Sequence, residues 1–78
     1  SLKEKIFVIT GSVKHYSNRE ALKSDIKAHG GKVAESISSK TDYLINNDIN
    51  STSSKNQKAK SLGIPIISEE EFLSMISK

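Results

Sequence analysis

A threonine, a glycine and two cations are spaced so that they could bind one phosphate group. Thr10-Gly11 follows the apolar run Ile6–Ile9, and Arg19 and Lys55 each come just after a predicted helix-capping residue. A threonine hydroxyl can donate to an oxyanion, and a glycine lets a backbone N–H approach it closely. An arginine fork suits bidentate phosphate contact, and a lysine supplies a point charge. These residue types therefore fit a phosphate pocket.

The two cations stand at positions that do not favour their own helices. Arg19 and Lys55 fall in the first turns of predicted helices, where the helix dipole makes a cation unfavourable by about 0.3–1 kcal/mol. Helix N-termini favour external anions, and ligands of open parallel sheets bind beyond the carboxyl ends of the strands. The alternative is that Thr10-Gly11 is a simple strand end and turn, with both cations solvated at the surface. The pattern alone leaves both interpretations open.

Other chemistry has little support in the sequence. The chain has no cysteine, which excludes a disulfide, a thiolate zinc site and a cysteine nucleophile. His15 and His29 lack acidic partners at metal-ligand spacing, so no metal is expected. Gly11 stands alone where a dinucleotide site needs G-x-G-x-x-G, and the P-loop and the G-x-S-x-G elbow are absent. We therefore expect a binding module that does not catalyse a reaction.

The length and composition predict a single globular domain over residues 1–78. Apolar residues make up 35% of the chain and charged residues 27%, which suits a small soluble module. The apolar runs are too short to cross a membrane, and the absence of cysteine fits a reducing cell interior. The net charge of +3 permits contact with phosphates without requiring it.

Strands alternating with helices predict an α/β fold with a mostly parallel sheet and helices on both of its faces. Strands are expected at residues 6–9, 33–34, 43–45 and 64–67, where Pro65 fits a strand start or a sheet edge. Helices are expected at residues 19–29, 55–62 and 69–77, and the polar stretch 46–53 is expected to be a loop.

Each predicted helix begins at a capping-box sequence, with Ser17, Ser54 and Ser68 as the capping residues. Glycines end the first two helices. The three inward faces are expected to be Leu22, Ile26 and His29, then Ala59 and Leu62, then Phe72, Leu73 and Ile76. The acidic residues 69–71 lie in the first turn of the third helix, where the helix dipole is sufficient to explain them.

Over nearly its full length the chain resembles a BRCT domain. The matching stretches are FVITG (7–11), HGGKV (29–33), KTDYLI (40–45), SSKNQKAKSLGIPII (53–67) and EEEFL (69–73). The resemblance implies a four-stranded parallel sheet of order 2-1-3-4, with the first and third helices on one face and the second on the other. Within the family, the chain is most similar to the C-terminal BRCT domain of bacterial NAD-dependent DNA ligases.

This resemblance also implies a function. Phosphate-binding members use residues that correspond to Thr10, Gly11 and Lys55, and the replication factor C type adds an arginine at the position of Arg19. Lys14 and Lys58 are expected as secondary basic contacts.

The expected ligand is DNA with a nick or a 5′-phosphorylated end. The expected parent is a ligase of replication and repair that uses NAD outside this domain, in the bacterial cytoplasm at the nucleoid. The domain itself is expected to need no cofactor, to be monomeric and to contact other domains of the parent. Tyr16 and Tyr43 are expected to pack within the fold, so base stacking contributes little. The alternative function is a phosphopeptide- or protein-interaction module of another repair or replication protein.

Overall fold

Four strands and three helices alternate along the chain in the computed structural model, which describes residues 2–48, 50 and 52–77. The elements are β1 (Ile6–Ile9), α1 (Arg19–Ala28), β2 (Lys32–Ala34), β3 (Tyr43–Ile45), α2 (Ser54–Leu62), β4 (Ile66–Ile67) and α3 (Glu69–Ile76). The alternation predicted from the sequence is confirmed. Within the described ranges, no helix has the length and apolar character needed to cross a bilayer.

The strands form one parallel sheet in the order β2-β1-β3-β4, as the resemblance implied. In the registers of β1 with its two neighbours, Phe7 lies opposite both Val33 and Tyr43. Because β1 and β3 are adjacent and parallel, their carboxyl ends lie side by side. Thr10 follows one of them and Asn46 the other, and the backbone N–H of Thr10 donates to the carbonyl of Ile45 at 3.0 Å. The segments that follow β1 and β3 are thus brought together.

Apolar residues pack on both faces of the sheet, because the side chains of a strand alternate between faces. On one face, Phe7 contacts Tyr43 and Phe72, and α1 and α3 cover this face. On the other face, Val8 packs with Ala59 of α2. The helix arrangement implied by the resemblance is therefore confirmed. The face covered by α1 and α3 buries Leu2, Phe7, Ile9, Leu22, Ile26, Ile45, Ile67 and Phe72, and the other buries Val8, Ile37, Leu44, Ala59 and Ile64.

Two of the three predicted helix caps are wrong by one residue. Asn18 caps α1 in place of Ser17, with its side-chain oxygen accepting from the N–H of Ala21. Ser53 caps α2 in place of Ser54, which becomes the first helical residue. In both cases two adjacent residues can cap, so the sequence pattern does not distinguish them. The capping box at Ser68 is confirmed.

The buried face of α2 also differs from the prediction. Leu62 was expected inward but is 45% exposed, whereas Asn56 is fully buried beside Ala59. The helix ends at Gly63, as predicted, and the N–H of Ile64 then bonds the carbonyl of Ala59. This turn buries Ile64, which fills the apolar position expected of Leu62.

The remaining predictions hold with small changes. The fourth strand is shorter than the predicted 64–67, because the N–H of Ile64 bonds the carbonyl of Ala59 in α2 and only Ile66–Ile67 pairs with β3. Phe72 is buried as expected, while Leu73, Ile76 and His29 are half-buried. Tyr16 packs against the core and donates to Asp25, so its packing role is confirmed. Of the predicted loop 46–53, residues 49 and 51 lie outside the described residues.

Candidate phosphate-binding site

A cavity of about 330 Å³ lies at the carboxyl ends of the two central strands. Half of its lining comes from the segment after β1 and half from the segment after β3. The residues after β1 are Thr10, Gly11, Ser12 and Lys14, and those after β3 are Asn46, Asn47, Asp48 and Ser53. Ser53 is also the N-cap of α2, so the start of that helix borders the cavity. This is the position at which open parallel sheets bind ligands.

Gly11 allows the two segments to approach each other. Its φ of +76° is one that residues with a side chain rarely adopt, and a Cβ there would lie 3.0 Å from Asn46 Oδ1. The buried Asn46 side chain cannot easily move, because it donates to Asn56 Oδ1 and accepts from the N–H of Asp48, both at 2.9 Å. The close approach of backbone and amide therefore requires glycine.

Hydrogen-bond donors on the β1 side of the cavity are available to a ligand. The Thr10 hydroxyl and the Gly11 N–H have no hydrogen-bond acceptor among residues 2–48, 50 and 52–77. Lys14 is exposed and has no carboxylate partner in the same part of the chain. A hydroxyl, a backbone amide and an ammonium around one cavity form a donor set suited to an oxyanion.

Arg19 lies beside the cavity without lining it. Its Nη2 donates to the carbonyl of Gly11 at 2.9 Å, which holds the guanidinium at the edge of the cavity. The side chain is exposed and makes no ion pair within the described residues. Its remaining N–H groups can therefore contact an anion that enters from solvent.

The two predicted lysines of α2 lie farther out. Lys55 is half-buried in the first turn of the helix, two residues after Ser53, but is not itself part of the lining. Lys58 is exposed one turn later and is also outside the lining. Of the six predicted site residues, the structure thus brings Thr10, Gly11 and Lys14 to the cavity and Arg19 to its edge, and it leaves Lys55 and Lys58 outside the lining.

Asp48 is a lining residue that the sequence analysis did not identify. Its carboxylate accepts from the N–H of Asn50 at 3.2 Å and remains exposed. A carboxylate opposes the binding of an anion, so Lys14 and Arg19 must outweigh it. No three metal-ligating side chains cluster in the part of the chain that the structure describes.

Glu69, the first residue of α3, makes hydrogen bonds to residues that line the cavity, although it is not part of the lining itself. It is fully buried, and its carboxylate accepts from the backbone N–H groups of Lys14 at 2.7 Å and His15 at 3.0 Å, and from the side chain of Asn47. Burial alone would raise the pKa of Glu69, but these hydrogen bonds outweigh it and hold the pKa below its ordinary value. The helix dipole, which the sequence analysis took as sufficient, is only part of the reason for this acid.

Asn47 joins the same three segments. Its amide nitrogen donates to the carbonyl of Ser12 at 2.9 Å and to Glu69, and its oxygen accepts from the N–H of Glu69 at 3.0 Å. The sequence carries no local signal for these contacts, since Glu69 lies 22 positions from Asn47 and 55 from Lys14.

The sheet order, the helix arrangement and the position of the cavity together define a BRCT-type domain. The family model described as "BRCA1 C Terminus (BRCT) domain" matches residues 2–76, and the chain belongs to this family.

Its curated relatives include proteins named DNA ligase. One from Lachnoclostridium phytofermentans is 57% identical over 99% of the chain, and one from Ruminiclostridium cellulolyticum is 56% identical over 91%. A third, from Protochlamydia amoebophila, is 48% identical over 91% of the chain. The chain spans only 10–12% of the length of these relatives.

Proposed function

We propose that this domain binds DNA ends or nicks by holding a 5′-phosphate in the cavity after β1. The observation that carries the proposal is the group of hydrogen-bond donors at the carboxyl end of β1. The Thr10 hydroxyl and the Gly11 N–H are both available, and Lys14 and Arg19 supply positive charge beside them. An anion with several oxygens can accept from all of these groups at once, which a neutral ligand cannot do equally well.

Lys55 and Lys58 contribute to this function by attracting the neighbouring backbone phosphates. Both lie on α2, whose N-terminus borders the cavity, and neither makes an ion pair within the described residues. Contacts of this kind give affinity that does not depend on sequence and that falls with salt.

The parent chain in this proposal is a bacterial NAD-dependent DNA ligase that acts in replication and repair. The relatives named DNA ligase support it, together with the small share of their length that the domain spans. NAD would act elsewhere in the parent, in the bacterial cytoplasm, and the domain itself would need no cofactor. It would bind as a monomer and contact DNA and other domains of the same ligase.

The test is a titration with two duplexes that differ only in a 5′-phosphate or a 5′-hydroxyl at a recessed end. We expect the wild-type domain to prefer the phosphate by about tenfold, the value of one charged hydrogen bond. Thr10→Val removes the hydroxyl at nearly constant shape and should abolish the preference. Lys55→Ala should weaken binding to both duplexes more than Lys60→Ala, which removes the same charge from the exposed, far end of α2. Equal affinity of the wild type for the two duplexes would refute the end-binding role.

Salt dependence separates DNA from a phosphopeptide. Three or four phosphate contacts predict a log–log slope of about −3 to −4 for duplex DNA. A single phosphate on a peptide gives a much shallower slope. A shallow slope, combined with tighter binding to a phosphopeptide than to DNA, would favour the peptide-binding alternative.

A further inference from the structure

We propose that Glu69 is a positioning residue for the phosphate pocket: its buried carboxylate fixes the β1–α1 loop in the geometry that distinguishes a phosphate from a hydroxyl. This inference rests on the function proposed above. Glu69 does not line the cavity, so it would act through the residues that do.

The hydrogen bonds of Glu69 reach both segments that line the cavity. Glu69 accepts from the N–H groups of Lys14 and His15, and it bonds Asn47, which in turn donates to the carbonyl of Ser12. Two of the three donors to Glu69, Lys14 and Asn47, line the cavity, and so does Ser12, which Asn47 contacts. One side chain therefore sets the path of the loop on one side of the cavity and the first part of the β3–α2 segment on the other.

The contacts of Glu69 require a side chain that only accepts hydrogen bonds. Three N–H donors converge on Glu69, and an ionised carboxylate is the side chain that accepts from all of them while donating to none. Glutamine has nearly the same shape, but its NH₂ group would face one of these donors. Without the charge, at least one donor loses its acceptor inside a fully buried site.

The β1–α1 loop has no regular secondary structure of its own. Residues 10–18 contain no strand or helix, so they depend on tertiary contacts for their shape. If the loop adopts the binding geometry only part of the time, the dissociation constant rises in inverse proportion to that fraction. Loss of the Glu69 contacts should thus reduce phosphate recognition without removing any group that touches the ligand.

The experiment compares Glu69→Gln with Glu70→Gln. Both remove one negative charge from the first turn of α3, so their long-range effects on DNA binding are matched, but Glu70 is exposed whereas Glu69 is buried. Affinities for the 5′-phosphate and 5′-hydroxyl duplexes are measured below the unfolding transition of each variant. We expect Glu69→Gln to lose the approximately tenfold preference and Glu70→Gln to keep it. Affinity for the hydroxyl duplex should be the same in both.

A purely structural role would lower the melting temperature of Glu69→Gln and leave the preference of the folded protein intact, which would overturn the inference. The proposed function would still stand, because it is tested by the wild type alone. A second measurement applies even if Glu69→Gln does not fold. In the wild type, the 5′-phosphate duplex should slow hydrogen exchange at the Lys14 and His15 amides more than the hydroxyl duplex does. Equal exchange with the two duplexes would also overturn the inference.

Discussion

The close contact between Gly11 and Asn46 predicts that alanine at position 11 destabilises the fold. Gly63 provides a matched control for this prediction. Gly11 and Gly63 have almost the same backbone conformation, with φ of +76° and +72°. A Cβ at Gly11 would lie 3.0 Å from Asn46 Oδ1, whereas a Cβ at Gly63 would have no atom of residues 2–48, 50 and 52–77 within 4 Å. Alanine at the two positions therefore imposes the same backbone strain but a different steric cost.

The expected magnitudes follow from these two terms. An alanine in the left-handed region costs about 1–2 kcal/mol at either position. At Gly11 the Asn46 side chain must also move by a few tenths of an ångström, although hydrogen bonds to Asn56 and Asp48 fix its position. Weakening one such bond costs about 1 kcal/mol more. We expect Gly11→Ala to lower the free energy of unfolding by about 2–3 kcal/mol, and Gly63→Ala by about 1–2 kcal/mol.

The measurement is urea unfolding of the wild type and the two variants, with thermal unfolding alongside. The difference between the variants, about 1 kcal/mol, corresponds to about 4–8 °C in melting temperature for a domain of this size. Equal losses for Gly11→Ala and Gly63→Ala would refute the reasoning, since they would mean that the Asn46 side chain can move away without a loss of stability. A smaller loss at Gly11 would do so more strongly.

Three further predictions concern buried polar groups. Glu69→Gln should cost about 1.5–3 kcal/mol at pH 7. The pKa of Glu69 is lowered in the folded state, so the carboxylate stabilises the fold only while it is ionised. The cost of Glu69→Gln should therefore be fully present above pH 4.5 and disappear as the pH falls through the lowered pKa. Urea unfolding from pH 7 to pH 3 measures this change. Tyr16→Phe removes a hydrogen bond to Asp25 and should cost about 1 kcal/mol at neutral pH. Burial, that hydrogen bond and the nearby carboxylates raise the pKa of Tyr16 above 10.0, so the wild-type advantage should decline at higher pH in the same assay. Asn56→Ala leaves the buried Asn46 amide without its acceptor and should cost about 1–3 kcal/mol in thermal unfolding.

Matched variants define the outcomes that would contradict these expectations. Glu70→Gln should change stability little, so an equal loss in the two glutamate variants at pH 7 would contradict the role of burial. A Tyr16→Phe variant that keeps a constant deficit above pH 10.0 would contradict the raised pKa. Gln57→Ala, at the exposed neighbour of Asn56, should cost much less than Asn56→Ala, and a similar loss would indicate a general effect on the helix.

Elements with strong local patterns were predictable, while those decided by tertiary position were not. The bounds of β1 are as predicted, because a continuous apolar run rich in β-branched residues favours a strand. The fourth strand was overextended, because the N–H of Ile64 is bound by the end of α2, a contact that no local pattern encodes. The exposed Leu62 has the same origin, since the turn at Gly63 brings in Ile64 in its place.

The residues of the candidate site also fall into these two groups, predictable from local sequence or decided by tertiary contacts. Thr10 and Gly11 could be predicted because a strand end followed by glycine is visible in the sequence. The supporting residues Asn47 and Glu69 could not, because each acts on segments far away along the chain. The tertiary role of Glu69 was also hard to predict because the helix dipole alone favours an acid in the first turn of a helix. A favourable local role thus does not exclude a tertiary one.

The two outer strands have a consequence for self-association. β2 has three residues and β4 only two, so the rims of the sheet offer few backbone groups to a strand from another molecule. Exposed Lys32 adds charge to one rim, and Pro65, which has no N–H, immediately precedes the other. Aggregation by edge-to-edge pairing is therefore disfavoured, although parallel strands rich in isoleucine and valine would otherwise promote it.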